Sequence, residues 1–438
     1  MSFNPEIFKA YDIRGIYGKD FDEEFAYRLG RVLVKNVEGR DYLVAHDTRL
    51  ISPGLAEDVI RGIISLGGRA HYLGMSTTPL YNFVLNDLKF AGGIMVTASH
   101  NPDGWGGFKV FDSEGAIADK KLAKYAQLVT NENVLPDSPL HKAVQKSNVI
   151  KDLSQYGGEV KLLNRERLLD RYATAAVKVS NIKLKDIVGI KIKIEGSTPL
   201  LREVHHLRKI LPLKIVTEGF DVVFKLDEDA DRIAVYDRSE NLIRSDHLFG
   251  LFVQKKKRFW KKPIVVHDPR FSRGVLEMFK KWGIKFYRSK AGRSFIREAM
   301  VKHRADLGAE LTGHFFYKTM HSHEASLLTM LDTLLLLQNN KKDLQTMTKQ
   351  FLSWRNSGEI NIPLASNPKT PVHIIESLKQ KFHDGHQDQL DGLCVSYKDW
   401  WFLVRASNTE PVIRLIVEAR NESMMKETTA ELEAIIKA

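Results

Sequence analysis

One cysteine, Cys394, stands in 438 residues, so no internal disulfide can form. That scarcity points to a reducing compartment, the cytoplasm. The start, Met1-Ser2-Phe3-Asn4-Pro5-Glu6, lacks a basic stretch followed by an apolar core, so no secretory leader is read there. Long apolar runs are missing as well. The most apolar stretch, 327–337, is interrupted by Asp332 and falls short of the roughly 20 residues a bilayer span needs. What remains, 43% apolar and 27% charged residues, is the composition of an ordinary globular protein. Its length suggests about three domains, with room for four.

Acid is the scarcer charge: 54 Asp and Glu against 66 Lys and Arg give a net charge of +12. Three readings fit. The basic run Lys255-Lys256-Lys257-Arg258 with Lys261-Lys262 around Phe259-Trp260 could bind nucleic acid. It could be a solvated helix end, the usual fate of charge runs. The excess cation could instead concentrate anionic substrates such as phosphorylated sugars. The second is preferred for the run, and sugar phosphates over nucleic acid or membrane as partners.

Apolar periodicity alternates between helix and strand. Phe25, Leu29, Val32 and Leu33 recur at helical spacing, and 42–45 reads as a buried strand ending at His46-Asp47. Ser52-Pro53 reads as an N-cap and first helical residue, with a strand at 70–73 and a turn at 74–79. Ile94-Met95-Val96 is a strand that delivers Ser99. Strands at 190–194, 213–216 and 221–226 with a helix at 199–210 form a small second unit. A third has strands at 263–267 and 284–287, helices at 273–282 and 294–303, a loop at 308–314 and a long amphipathic helix at 326–339. The last 75 or so residues alternate short strands with helices at both ends. Periodicity alone shows no sequence repeat between these units.

Four loops carry chemistry. Asp227, Asp229 and Asp231 follow the apolar run 222–224 and precede Arg232. A loop leaving a strand end can aim all three carboxylates at one point, a donor set that suits Mg²⁺. A solvated acidic turn is the alternative, disfavoured because clustered carboxylates repel without a cation. Ser99, in Thr97-Ala98-Ser99-His100-Asn101-Pro102, is a turn serine or an exposed phosphoryl carrier, with Lys109 as a nearby cation. A Ser–His hydrolase is poorly supported, since sequence neighbours rarely face each other for proton transfer. Arg405 to Thr409, with Arg414, reads as a phosphate cradle or a plain polar turn. Glu310, Thr312 and His314 read as ligands for sugar hydroxyls or as a helix-start turn.

In this order and spacing the four loops resemble the α-D-phosphohexomutase superfamily, most closely its phosphomannomutase/phosphoglucomutase branch. The resemblance includes Phe8-Lys9-Ala10-Tyr11-Asp12-Ile13-Arg14-Gly15, Asp47-Thr48-Arg49 and Gly74-Met75, and runs from residue 3 to the end. It implies an α/β fold of four domains around a central cleft, three related α/β units with mixed sheets plus a smaller C-terminal α+β domain. Expected limits are 1–150 (phosphoserine loop), 151–250 (shortened, metal loop), 251–362 (sugar loop) and 363–438 (phosphate loop). It further implies that Ser99 is phosphorylated and joins Asp227, Asp229 and Asp231 around Mg²⁺. Tyr11, Arg14, His100, Lys109 and Arg232 would surround the transferred group. Glu310, Thr312 and His314 would hold the sugar, and Arg405, Ser407, Asn408, Thr409 and Arg414 the other phosphate.

The chain departs from that pattern in four places. Glu228 replaces a glycine, Arg293 a histidine, and Thr312 a serine. The second unit lacks the family's proline- and histidine-rich segment and carries Glu195-Gly196-Ser197-Thr198-Pro199 in place of a glycine-rich turn, a shortening expected to delete a strand or helix. The expected activity is interconversion of hexose 1-phosphate and hexose 6-phosphate, of mannose or glucose, through phosphoserine, with hexose 1,6-bisphosphate as activator and intermediate. The alternative is a degenerate homologue that binds sugar phosphates or partners with little turnover.

Overall fold

A computed structural model describes residues 3–132, 159–338, 343–364, 370–407 and 412–437. It divides into two compact units, Met1–Ala234 with Thr319–Leu335, and Val235–Lys318 with Leu336–Ala438.

The first unit opens with β1 (Ile13–Ile16) and α1 (Glu23–Asn36). Asp22 caps α1 by accepting from the Phe25 N–H, and the helix buries Phe25, Leu29, Val32 and Leu33 as its spacing predicts. It packs on α2 (Ser52–Ile64) at a glycine crossing. A Cβ on Gly30 would come 2.3 Å from the Val59 carbonyl oxygen, and one on Gly62 2.1 Å from that of Tyr27, so the backbones touch only because both side chains are absent. Beneath them run β2 (Asp41–His46), β3 (Arg69–Met75), β4 (Gly92–Val96), β5 (Trp105–Asp112) and β6 (Glu159–Leu162), in the order β1-β5-β4-β2-β3-β6. Strands β2, β3, β4 and β6 are parallel; β5 is antiparallel to β4 and to β1.

Two expectations change here. Ser52 is the first residue of α2, not its N-cap; its hydroxyl donates to Asp47 at 2.6 Å. The expected turn at 74–79 gives way to β3 through Met75 and to α3 (Thr78–Asp87), which Thr77 caps.

The second α/β layer holds α5 (Arg165–Ser180), β7 (Lys191–Glu195), α6 (Thr198–Ile210), β8 (Lys214–Ile215), β9 (Val222–Leu226) and β10 (Ile233–Asp237), after α4 (Asp119–Thr130) of the first. The strand order is β10-β9-β7-β8. Residues 216–221 join β8 to β9 without a helix, the shortening the sequence suggested. On one face Glu195 pairs with Lys193 at 2.9 Å and with Lys225 at 3.0 Å. Charged side chains hydrate that face where a covering helix would otherwise exclude water.

The second unit contains α7 (Ser245–Lys256), β11 (Ile264–His267), α8 (Arg273–Lys281), β12 (Lys285–Arg288), α9 (Arg293–His303), β13 (Leu307–Ala309) and β14 (Phe315–Tyr317). The order is β12-β11-β13-β14, parallel except for the last pair. Gly308 and Ala309, expected in a loop, belong to β13 because they pair with β11 and β14. A repeat that periodicity did not reveal is plain in this topology: β3-β2-β4-β5, β8-β7-β9-β10 and β12-β11-β13-β14 are one pattern drawn three times. Helix α10 (Ser326–Gln338), which belongs to the first unit as far as Leu335, is buried at every residue from 326 to 336 and so is not amphipathic. Its two threonines are satisfied within the helix, Thr329 and Thr333 donating to carbonyls one turn back.

The C-terminal part is α11 (Pro371–Lys381), then the antiparallel strands β15 (His386–Asp388), β16 (Leu393–Ser396), β17 (Trp400–Ala406) and β18 (Val412–Ala419), then α12 (Glu422–Lys437). Its core includes Leu378, Phe402, Val404, Leu415 and Leu432. Among the described residues no helix is long and apolar enough to cross a membrane.

Candidate active site

In the first unit the loop after β4 and the loop after β9 meet. Ser99 has φ +51, a left-handed conformation, held because its N–H donates to Thr97 Oγ1 at 2.9 Å while Arg49 donates to the carbonyls of Ser99 and Asn101, both at 2.6 Å. Its side chain is buried, only 1% exposed, where the sequence suggested exposure. The reason is the second loop: Ser99 Oγ donates to Asp227 Oδ2 at 3.1 Å. Ser99 Oγ also lies 3.4 Å from His100 Nδ1, but that nitrogen is 2.5 Å from an Arg232 N–H. Burial, with the Arg232 and Arg14 charges adding, lowers the His100 pKa to about 4. Arg14 is clamped on Asp12 Oδ2 at 2.6 Å and donates to Asn101 at 2.8 Å, with Tyr11 in its electrostatic neighbourhood.

The three aspartates converge as predicted, each offering an oxygen within 4.8 Å of the others. Ala230, at φ +54, turns the chain between Asp229 and Asp231. Glu228, which stands between the first two aspartates, is exposed and accepts from Thr48 Oγ1 at 2.6 Å. Lys109, fully buried, donates to Asp229 and, at 2.6 Å, to Asp231. Thr78 Oγ1 donates to Asp229 at 2.5 Å, and the Thr78 N–H to the Asp229 carbonyl at 2.8 Å. Asp229 Oδ1 is buried with no hydrogen bond. Burial, with Asp231 and Asp229 adding, pushes the Asp227 carboxyl well above the ordinary carboxylate range. Crowded carboxylates with an unsatisfied buried oxygen fit a hard divalent cation.

In the second unit the loop after β13 holds the expected sugar residues. Glu310 is buried and accepts from Arg270 at 3.1 Å and from Thr312 Oγ1 at 2.9 Å, while its Oε2 is buried with no hydrogen bond. Gly313, at φ +96, turns the chain so that the Glu310 N–H donates to the His314 carbonyl at 2.9 Å. Thr312 is exposed and His314 buried. Arg405 lies in β17 itself rather than in the loop after it, directly across the ladder from Arg414. Like charges facing across strands repel; here Glu359 stands 3.8 Å from Arg405, 3.7 Å from Arg414 and 3.3 Å from Arg270. Asp391 takes a second Arg405 N–H at 3.0 Å. The Ser407 N–H donates to the Val412 carbonyl at 3.0 Å; Asn408 and Thr409 lie outside the described residues. Glu359 thus lies among three guanidiniums, which Asp268, Glu310 and Asp391 pair in turn. Arg293 is buried at the first position of α9.

Sequence reasoning assigned no role to Thr78, Arg49, Arg270, Glu359 or Asp391. Arg270 had a signal: Val265-Val266-His267-Asp268-Pro269-Arg270 matches Val44-Ala45-His46-Asp47-Thr48-Arg49. Glu359 and Asp391 had none, since only strand register brings them to the arginines.

Family models for phosphoglucomutase/phosphomannomutase match this chain at residues 5–133 (α/β/α domain I), 244–353 (α/β/α domain III) and 359–435 (C-terminal domain). A phosphomannomutase of Methanocaldococcus jannaschii is 30% identical over 98% of this chain and 97% of its own length. The chain belongs to the phosphoglucomutase/phosphomannomutase family. A solved structure of a family protein from Burkholderia thailandensis shares the fold, with TM-score 0.80 and 23% identity over 100% of this chain and 98% of that one. An N-acetylphosphoglucosamine mutase of Aspergillus fumigatus, solved with GlcNAc-6P and magnesium, aligns with TM-score 0.54 and 15% identity over 82% of this chain and 91% of that one. The stretch 134–243, between the first two matches, contains the shortened second layer.

Proposed function

We propose that this family member interconverts hexose 1-phosphate and hexose 6-phosphate, of mannose or glucose, through a phosphorylated Ser99 and a hexose 1,6-bisphosphate. The observation that carries the reading is the buried hydroxyl of Ser99 at 3.1 Å from Asp227, inside a cluster of three aspartates. Asp227, Asp229 and Asp231, with the phosphoserine oxygen, would hold Mg²⁺. The ion would neutralise charge on the transferred group, which carries most of the catalysis in a loose phosphoryl-transfer transition state.

The chain's own residues do the positioning. Arg49 fixes the Ser99 backbone, and Arg14, His100 and Arg232 face the group that leaves Oγ. With the Ser99 O–P bond broken and a bond to the free sugar hydroxyl formed, the bisphosphate turns and returns its other phosphate to Ser99. One cradle must then accept either phosphate, a role for Arg405, Arg414, Ser407, Asn408 and Thr409, with Glu310, Thr312 and His314 on the sugar hydroxyls. The domain limits 1–150, 151–250, 251–362 and 363–438 and a cytoplasmic location belong to the same reading.

Coupled assays with glucose 1-phosphate and mannose 1-phosphate, Mg²⁺ and trace bisphosphate test it. Flux with either sugar is expected. Binding without flux would favour the degenerate homologue, which the trimmed second layer and Arg293 in place of a histidine otherwise support.

A further inference from the structure

Away from the aspartate loop, a cleft of about 460 Å³ opens between the starts of α5 and α6, lined by Arg165, Glu166, Thr198, Leu201, Arg202, His205 and His206. We propose that it binds the phosphate group of a small metabolite, gripped by Arg165 and Arg202 at the amino end of α6. Neither arginine has an ion-pair partner among the described residues. Glu166, the acid in the cleft, is spent on His206, whose Nε2 it meets at 2.9 Å while Asp170 takes Nδ1 at 2.5 Å. Arg165 Nε and Ser197 Oγ are both buried with no hydrogen bond.

Ser197 is the N-cap residue of α6, yet its hydroxyl caps nothing, and Pro199 follows in the first turn. The first-turn N–H groups and the helix dipole favour an anion at such an end. Two guanidiniums then supply the bidentate donors that a phosphate accepts. Burial and the Arg202 charge together hold the Arg165 guanidinium below its ordinary pKa, against the raising effect of Glu166. Leu201, 48% exposed, offers an apolar wall to whatever carries the phosphate.

The cleft is wired into the molecule. Arg165 Nη1 donates to the Met75 carbonyl at 3.3 Å, at the head of the segment that leads to Thr77 and Thr78. An anion engaging Arg165 therefore also tightens residues 74–79.

Hydrogen–deuterium exchange on the full chain, in inorganic phosphate against chloride at equal ionic strength, tests the proposal. Protection is expected in peptides covering 163–168, 197–206 and 74–79. Arg202→Glu and the milder Arg202→Gln should raise the phosphate concentration needed at those peptides at least tenfold for the first and severalfold for the second, with mutase activity in phosphate-free buffer unchanged. AMP and glucose 6-phosphate in place of phosphate identify the carrier: tighter protection with either names it, and equal protection assigns the site to phosphate itself. No protection at 163–168 and 197–206, or protection that Arg202→Glu leaves intact, overturns the proposal.

Discussion

Two strand ends, one in each unit, share a sequence and a local geometry and put them to different use. After β2 comes His46-Asp47-Thr48-Arg49, and after β11 comes His267-Asp268-Pro269-Arg270. In both, the histidine Nδ1 lies 2.7 Å from the aspartate carbonyl oxygen. In both, the arginine N–H donates to the aspartate Oδ1, at 3.1 and 2.7 Å. The guanidiniums then diverge. Arg49 keeps its Nε 3.3 Å from the Asp47 carboxylate and spends its terminal donors on the carbonyls of Ser99, Asn101 and Pro102. Arg270 spends its own on the carboxylates of Asp268, Glu310 and Glu359. One copy braces the Ser99 loop, and the other gathers three carboxylates around itself. Burial alone would lower the Arg270 pKa, but Asp268 and Glu310 outweigh it and hold the group above its ordinary value.

The comparison breaks most completely in the first unit. Asp229→Asn removes one charge from the aspartate cluster and leaves Lys109 and Thr78 a single neutral amide oxygen as acceptor. Activity should fall about 10²–10³-fold, as when a preorganised electrostatic group is lost, and its Mg²⁺ dependence should disappear in a titration of rate against metal.

Truncating the paired arginines sharpens the contrast. Arg270→Met strands buried carboxylates and should cost about 3–5 kcal/mol in urea unfolding followed by tryptophan fluorescence. Arg49→Met strands carbonyls and a single carboxylate, Asp47, which keeps the Ser52 hydroxyl and the backbone N–H of residue 49, so its stability cost should be smaller, about 1–3 kcal/mol, with the greater damage in kcat. Equal stability losses would mean that the two arginines do the same work.

A smaller effect should come from Glu203, fully buried on α6, which accepts from Thr77 Oγ1. Burial raises its pKa from 4.5 to about 8, against the lowering effect of the Thr77 bond. The folded state then holds a proton that the unfolded chain releases, so stability is full below pH 4.5 and falls as pH rises toward 8. Glu203→Gln should flatten that slope in unfolding measured at pH 5.5 and 8. An unchanged slope would show that Glu203 is ionised when folded. Least of all, Thr312→Ser keeps the hydroxyl on Glu310 and should change kcat/KM less than about threefold, since a retained hydrogen bond leaves no buried group unpaired.

Most of the secondary structure was legible because period-2 and period-3.6 patterns are strong along this chain; most strands and helices fall within a residue or two of their predicted places. What failed depends on tertiary packing. Ser52 looks like a cap until Asp47 claims its hydroxyl, and α10 reads as amphipathic because its threonines hide their polarity in the backbone. Ser99 reads as exposed because nothing local shows Asp227 arriving beside it. The aspartate cluster was legible from its alternation, and Arg405 with Arg414 from their charge. Glu359, which holds those arginines together, was invisible without the register of the strands.

Mass mapping of the peptide that contains Ser99, before and after incubation with hexose 1,6-bisphosphate and then with hexose 1-phosphate, tests the central claim most directly. The account predicts one phosphoryl group on Ser99 after the first step, its loss to the sugar in the second, and neither modification nor turnover in Ser99→Ala. Full turnover by Ser99→Ala, or a working enzyme whose Ser99 never carries phosphate, would contradict it.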